Sequence, residues 1–390
     1  MILDLGDIRA ADAPRVGPKM ARLGELAAAG WRVPDGYAVT ADALADWLPA
    51  AAQAELDGLL GALIPAQAAG DPGALAGISA RARELVEGQP LPAALADAVA
   101  AAHDRLEQRA RAAAADAAAA AGVGVGSGVG SGDARPGAAL RVAVRSSAVS
   151  EDGAGASFAG QYETYLGVSG IADVLGHIRK CWASGYSARA LEYRRRLGGG
   201  GASARPHALD LAVGVLELVD VRSAGVAFTL DPVTGDRNTL VVEANWGFGE
   251  SVVSGQVSPD HWTVDRATGD IVTRRTGDKR VWSVFSPAAG LVVLEPSTAD
   301  RAARPCLTDD EVRYIARQAT RIEAADGGAP QDVEWAIARG LPFPDSVFIL
   351  QHRPETTWTA GPPDAGAAEP AAGFDPVRYA LRNVFRVPGA

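Results

Sequence analysis

The sequence predicts an α+β protein of two lobes, and three features carry that expectation. Helix-periodic stretches occupy residues 41–121 and 171–196, whereas short apolar runs separated by turn residues fill 209–275. Glycine-rich tracts at 122–137 and 198–206 interrupt the pattern. A chain of 390 residues is long enough to bury two cores. The expected division is a first lobe over 1–208, with a helical insertion and a flexible linker at 122–137, and a second lobe over 209–358. A Pro/Ala/Gly linker at 359–373 and an amphipathic segment at 374–390 follow.

In chain order, Lys19 comes just after Gly17 and Pro18, near the start of a helix in which Met20, Leu23, Leu26 and Ala27 share a face and which Gly30 ends. A Pro-containing turn leads to a short strand at 37–40, and an alanine-rich helical region follows. At 140–145, Leu140, Val142 and Val144 alternate with Arg141, Ala143 and Arg145, the period of a half-buried strand. Beyond it, Ser146, Ser147, Gly153, Gly155, Ser157 and Gly160 let the backbone come close to a ligand and leave amides free to donate. Such a loop with a fixed guanidinium suits phosphate; an ordinary strand-to-loop transition with Arg145 paired to Glu151 or Asp152 fits the spacing equally well.

Ile171, Val174, Leu175, Ile178 and Trp182 mark an amphipathic helix over 171–196, interrupted at Gly185. The clearest helix spans 309–325, where Val312, Ile315, Ala316, Ala319 and Ile322 line one face and Thr308 with Glu311 forms a capping box. A hairpin follows, with strands at 332–338 and 346–353 joined by the turn GLPFPD. Val333, Trp335 and Ile337 face one side and Glu334 the other, while Gln351 and Arg353 share a face. Two adjacent strands thereby offer Glu334, Gln351 and Arg353 to one site. The last segment, from Phe374, puts Val377, Ala380, Leu381, Val384 and Phe385 on one helical face, suited to docking a partner or to folding back.

Composition excludes several classes. A net charge of -10 argues against unspecific nucleic-acid binding, and no stretch has the length and apolarity of a membrane span. The N-terminus has no basic and apolar leader, so the expectation is a cytoplasmic protein. Cys181 and Cys306 have no second cysteine at metal or redox spacing and read as reduced thiols. Neither a GxGxxG register after a strand nor a GxxxxGK[ST] loop occurs.

Six separated motifs resemble, in order, the ATP-binding half of the phosphoenolpyruvate synthase, pyruvate phosphate dikinase and rifampicin phosphotransferase family. They are GPKMARLGELAAAGWRVPDGYAVT (17–40), VRSSAVSED with ASFAGQYETYL (144–166), KCWASGYSARA (180–190), AGVAFTLDPVTGD (224–236), EANWGFGESVVSGQVSPD (243–260) and QDVEWAI with ILQHRP (331–354). The resemblance implies an ATP-grasp fold whose two lobes enclose the nucleotide, with ATP and Mg2+ as cofactors. It implies that Lys19, Arg145 and Arg353 are the catalytic cations and that Glu334 and Gln351 hold magnesium. Ser157, Gly160 and Thr164 would belong to the loop over the phosphates, and backbone groups around Glu217 and Val219 would meet the adenine. One departure concerns the base: relatives often read VVVQKMV where this chain reads VGVLELV, which puts Leu216 in place of a glutamine.

A second departure is that none of the five histidines (His103, His177, His207, His261, His352) sits in the glycine-rich Ser-His context of the family's phosphoryl carrier. The resemblance then implies a split enzyme: this chain binds ATP and phosphorylates a histidine on a separate subunit, ATP goes to AMP and phosphate, and a small hydroxyl compound such as phenol is the final acceptor. An ATP-grasp kinase or antibiotic phosphotransferase component, and a non-catalytic nucleotide-binding regulatory subunit, remain alternatives.

Overall fold

The computed structural model describes residues 1–45, 47–63, 72–120, 140–149, 162–196, 209–253, 255, 257–355 and 358. The expected linkers at 122–137 and 359–373, the segment 374–390, Ser157 and Gly160 lie outside these residues. Strands β1 (Ile2–Asp4), β2 (Gly36–Val39), β3 (Arg141–Ala148), β4 (Thr164–Ser169) and β5 (Leu211–Glu217) form an antiparallel sheet in the order β1-β2-β5-β3-β4. Further along come β6 (Val221–Phe228), β7 (Thr239–Trp246), β8 (Asp260–Asp265) and β9 (Ile271–Arg275), then the hairpin β10 (Val281–Ser286) and β11 (Leu291–Pro296). With β12 (Gln331–Ala338) and β13 (Val347–Pro354), they make a six-stranded antiparallel sheet in the order β13-β12-β6-β7-β8-β9, the β10-β11 pair standing apart.

The alternation read along residues 140–145 is the one observed: Val142 and Val144 are fully buried in the first core, while Arg141, Ala143 and Arg145 are half-buried on the opposite face. The helix Ile171–Ser184 covers the core face, seated by Ile178 and by Trp182, whose Nε1 donates to the Leu211 carbonyl at 3.1 Å. A second helix, Ala188–Arg196, follows, so the expected interruption near Gly185 is present. Helices Ala50–Gly61, Pro72–Gly88 and Ala93–Ala120 extend the same core through Leu56, Val86, Val99 and Leu106.

The helix Asp309–Ala325 begins at the expected capping box. Glu311 N donates to Thr308 Oγ1 at 3.3 Å and Thr308 N to Glu311 Oε2 at 2.8 Å. Its apolar stripe packs with Trp335 and Ile337 of β12. The helix Ala13–Ala28 buries Met20, Leu23 and Leu26 in this second core although β1 and β2, on either side of it in sequence, belong to the first sheet. It therefore wedges between the sheets, touching β3, β5 and β13.

Two features differ from the sequence reading. The boundary drawn at 208 precedes β5, yet β5 is hydrogen-bonded between β2 and β3, so the chain crosses from one sheet to the other at 218–220. The β10-β11 hairpin was not anticipated. It packs Phe285 against Gly167 of β4, and Arg141 lies over the Phe285 ring at 4.2 Å, which makes it a bridge from the second lobe to the first.

Candidate functional site

The site forms where the outer face of β3 meets the β12-β13 hairpin. Arg145 donates through Nη2 to Gln351 Oε1, and its Nη1 lies 3.5 Å from the Leu350 carbonyl. Residues 206 apart in sequence thus join the two lobes. The hairpin register sets the rest. Glu334 lies opposite Gln351, and Asp332 opposite Arg353. Strict alternation along β13 would put Val347, Ile349, Gln351 and Arg353 on one face, which cannot be both core and site. A β-bulge resolves the conflict: pairing jumps from Glu334↔Gln351 to Trp335↔Ile349, with Leu350 as the extra residue. Ile349 and Val347 then enter the core with Trp335, while Gln351 and Arg353 face the site with Glu334.

Asp332 escaped the sequence reading. Its carboxylate receives Arg353 Nε at 3.1 Å and Nη2 at 3.0 Å, with both residues buried. Its Oδ1 is buried with no hydrogen-bond partner among the described residues. Burial pushes the Asp332 carboxyl up to about 6, Arg353 pulls it down, and Glu355 and Glu334 add to the rise. The available signal was its place two residues before Glu334 on the same strand, which gives the two carboxylates one face.

Lys19 reaches this region through its neighbours. Gly17, at φ 75°, interrupts the helix, and a Cβ there would lie 2.8 Å from the Ser147 carbonyl carbon. Met20 N faces Ser147 Oγ at 3.4 Å. Lys19, between them, is therefore held at the end of β3. Thr164 opens β4 directly opposite Arg145 and is exposed, so it stands on a return strand and not in a loop.

Glu217 and Val219 flank the crossing between sheets. Glu217 N donates to the Asp35 carbonyl at 2.7 Å and Leu218 N to the Arg141 carbonyl at 2.9 Å. Burial raises the Glu217 carboxyl, Asp35 adds to it and Arg32 opposes it. Between this crossing and Arg145 lies an apolar cluster drawn from both lobes, including Ala143, Leu166, Leu218, Ala336 and Leu350. Leu216 points elsewhere: it is 4% exposed and belongs to the core that holds Leu23 and Ala38, so its side chain makes no wall of that cluster.

The chain thus brings Arg145, Glu334, Gln351, Arg353 and Asp332 together, with Lys19 and Thr164 at the edge and Glu217 to Val219 on the far side of the apolar cluster. Fixed cations beside oxygen donors are what binding a polyphosphate requires. Among the described residues no group of three or more His, Cys, Asp or Glu side chains is placed to hold a metal, and no helix is long and apolar enough to cross a membrane.

Fold and site together define a two-lobed nucleotide-binding protein. The chain belongs to the family of the pyruvate phosphate dikinase AMP/ATP-binding domain, whose model matches residues 13–370. It is similar to a probable phosphoenolpyruvate synthase of Staphylothermus marinus, 35% identical over 92% of this chain and 41% of the relative. A rifampicin phosphotransferase of a Streptomyces species is 37% identical over 92% of this chain and 36% of its own length. A prodigiosin-synthesizing transferase of Serratia marcescens is 34% identical over 92% of this chain and 33% of its own. The chain spans about two fifths or less of these relatives. The family is one of ATP-using dikinases and phosphotransferases, so the α+β ATP-grasp architecture and an ATP site hold for this protein.

Proposed function

We propose that the chain binds ATP with Mg2+ between its lobes and transfers a phosphoryl group to a histidine on a separate subunit, in the manner of a dikinase that releases AMP and phosphate. The observation that carries this reading is the meeting of Arg145 with Gln351 beside Glu334 and the Asp332–Arg353 pair. Phosphoryl transfer asks a protein mainly for positioning and charge stabilisation, and this cluster offers guanidinium groups and hard oxygen donors without a general base. The residues fit magnesium: the Gln351 amide oxygen, Glu334 and the orphaned Asp332 Oδ1 share one face of the hairpin. Bound there, the ion would neutralise phosphate charge. Arg145, Arg353 and Lys19 supply the remaining positive charge, and the adenine lies beside the crossing between the sheets, its edge read by backbone groups at Glu217 and Val219. Ser157 and Gly160 complete the phosphate loop in this reading.

The histidine carrier is placed outside these residues because none of the chain's five histidines has a carrier context, and His352 is buried and bonded to Gln331 at 3.0 Å. The split architecture that fits is phenylphosphate synthase, with phenol as the final acceptor, and the segment 374–390 is suited to holding the carrier subunit. The test combines the chain, candidate carrier subunit, Mg2+ and ATP labelled at the β-phosphate. Label on a carrier histidine together with AMP is expected, and Glu334→Ala should lower that rate by about 10²-fold or more while leaving the melting temperature in place. Nucleotide binding without any AMP formation by the assembled proteins would instead make the chain a regulatory subunit. Full-affinity carrier binding after deletion of 374–390 would remove that segment from docking.

A further inference from the structure

The face of the six-stranded sheet that carries Glu334 and Gln351 holds one further polar pair. Pairing registers place Gln351, Glu334, Val226, Glu243, His261 and Arg275 in a single row across β13, β12, β6, β7, β8 and β9. The row lies on one face, because the residues next to it along the strands, Trp335, Ala227, Val242 and Trp262, all enter the second core behind it. Within the row, Glu243 Oε1 lies 3.1 Å from His261 Nδ1, and the two side chains are only 12% and 20% exposed. The surroundings on this face are apolar, with Val226, Phe228 and Val241 buried together. A carboxylate and an imidazole set on the fourth and fifth of six strands lose hydration that a rim pair keeps, and packing alone would be served as well by two apolar side chains.

We infer that His261 is the general base for the water that takes the γ-phosphoryl group, with Glu243 as its positioning residue. The inference rests on the dikinase reading above, in which one ATP yields AMP, free phosphate and a phosphorylated histidine. That balance needs one water. A bond forms between the water oxygen and the γ-phosphorus, the bond from the γ-phosphorus to the β–γ bridging oxygen breaks, and that oxygen keeps the electron pair. The water's proton goes to His261 Nε2. In that reading the carboxylates of the Arg145 cluster are engaged by Arg353 and by Mg2+, which leaves this proton to another group. Glu243 only accepts, so it puts the hydrogen of a neutral imidazole on Nδ1 and leaves the lone pair on Nε2, which has no partner among the described residues. Adjacent strands are about 4.8 Å apart, so the Glu334 and His261 backbones are about 14 Å from each other, with Glu243 about 10 Å from Glu334. That span takes phosphate groups held at Glu334 and a water between them and the imidazole.

The experiment uses the full chain with the candidate carrier subunit, Mg2+ and ATP labelled at the γ-phosphate. Wild type is expected to form AMP and labelled phosphate in equal amounts. His261→Gln, which keeps a side-chain donor for Glu243, should release phosphate about 10²-fold more slowly, the scale of a lost general base. Glu243→Gln should slow release as well. In both variants the ATP affinity, measured without the carrier, and the melting temperature should stay at wild-type values. His261 is partly exposed, so His261→Ala leaves a gap open to solvent, and added imidazole should restore part of its rate. A pair that only tied β7 to β8 would lower the melting temperature and give no such rescue. Normal phosphate release by His261→Gln, or a slow but folded His261→Ala that imidazole leaves unchanged, would overturn the assignment and leave the dikinase reading standing. A wild-type mixture that forms no AMP would overturn that reading and this assignment with it.

Discussion

Replacing Arg353 by alanine should destabilise the protein by an amount that grows with pH, and the structure sets the scale. Asp332 titrates at about 6 in the folded chain against 3.8 for an ordinary aspartate, chiefly because it is buried. Its folded value is raised, so its stabilising contribution is full below the unfolded value and is lost as pH climbs through about 6. At neutral pH that amounts to a cost of about 3 kcal/mol even with Arg353 in place. Without Arg353, the influences left from neighbouring side chains are Glu355 and Glu334, and both push the carboxyl higher. From about pH 6 up to the variant's own titration point, the folded variant holds a proton that the wild type has released. The wild type then gains on the variant by about 1.4 kcal/mol per pH unit, whereas below about pH 5 the titrating difference vanishes and lost packing alone remains. Melting temperatures of wild type and Arg353→Ala at pH 5, 6, 7 and 8 read this directly: the gap should be small and flat on the acid side and widen above 6. A gap of constant size across that range would show that Asp332 is not the group burdened by the loss, and the hairpin electrostatics derived above would fall with it.

Three other outcomes follow from the same structure. Gly17→Ala should lower the melting temperature and weaken ATP binding together, since φ 75° and the close approach to Ser147 both exclude a Cβ; a variant unchanged in both would mean that this contact does not position Lys19. Neither thiol should react with a small disulfide reagent at pH 8 in the folded protein, because burial pushes Cys181 up to about 12 and Cys306 well above the ordinary value; rapid labelling under native conditions would contradict the packing around them. Shortening 122–137 by a few residues should leave nucleotide affinity unchanged, as a Gly/Ser/Val tract without apolar periodicity suggests; a large loss of affinity would make it a working loop.

Much of the fold was legible because it is written in local patterns. The helix Asp309–Ala325 announces itself by a capping box and an unbroken apolar stripe, and β3 by alternation with arginines on the polar side. What stayed hidden depends on partners far along the chain. Leu211–Glu217 has six buried residues in its seven, a pattern equally suited to either sheet; only hydrogen bonds to β2 and β3 decide that it is the middle strand of the first. The β10-β11 hairpin has a half-exposed, weakly alternating pattern because it covers no core of its own and instead leans on β4.

The site shows the same division more sharply. Gln351 and Arg353 were readable as one face of a strand, and Glu334 as the polar face of its neighbour. Period-2 reasoning extended along β13, however, places Ile349 on that same face, where its burial at 3% in the core would be impossible. One extra residue, Leu350, removes the contradiction by turning the strand over between its core half and its site half. No composition signal marks that residue; a leucine in a run reading VFILQHRP is indistinguishable from its neighbours. The bulge also supplies what β3 needs from the other lobe, since the Leu350 carbonyl and the Gln351 side chain are the two acceptors offered to Arg145. A single inserted residue therefore does three things that sequence periodicity treats as unrelated: it closes the second core, turns the acceptor side chains outward, and gives the first lobe's arginine its place to land.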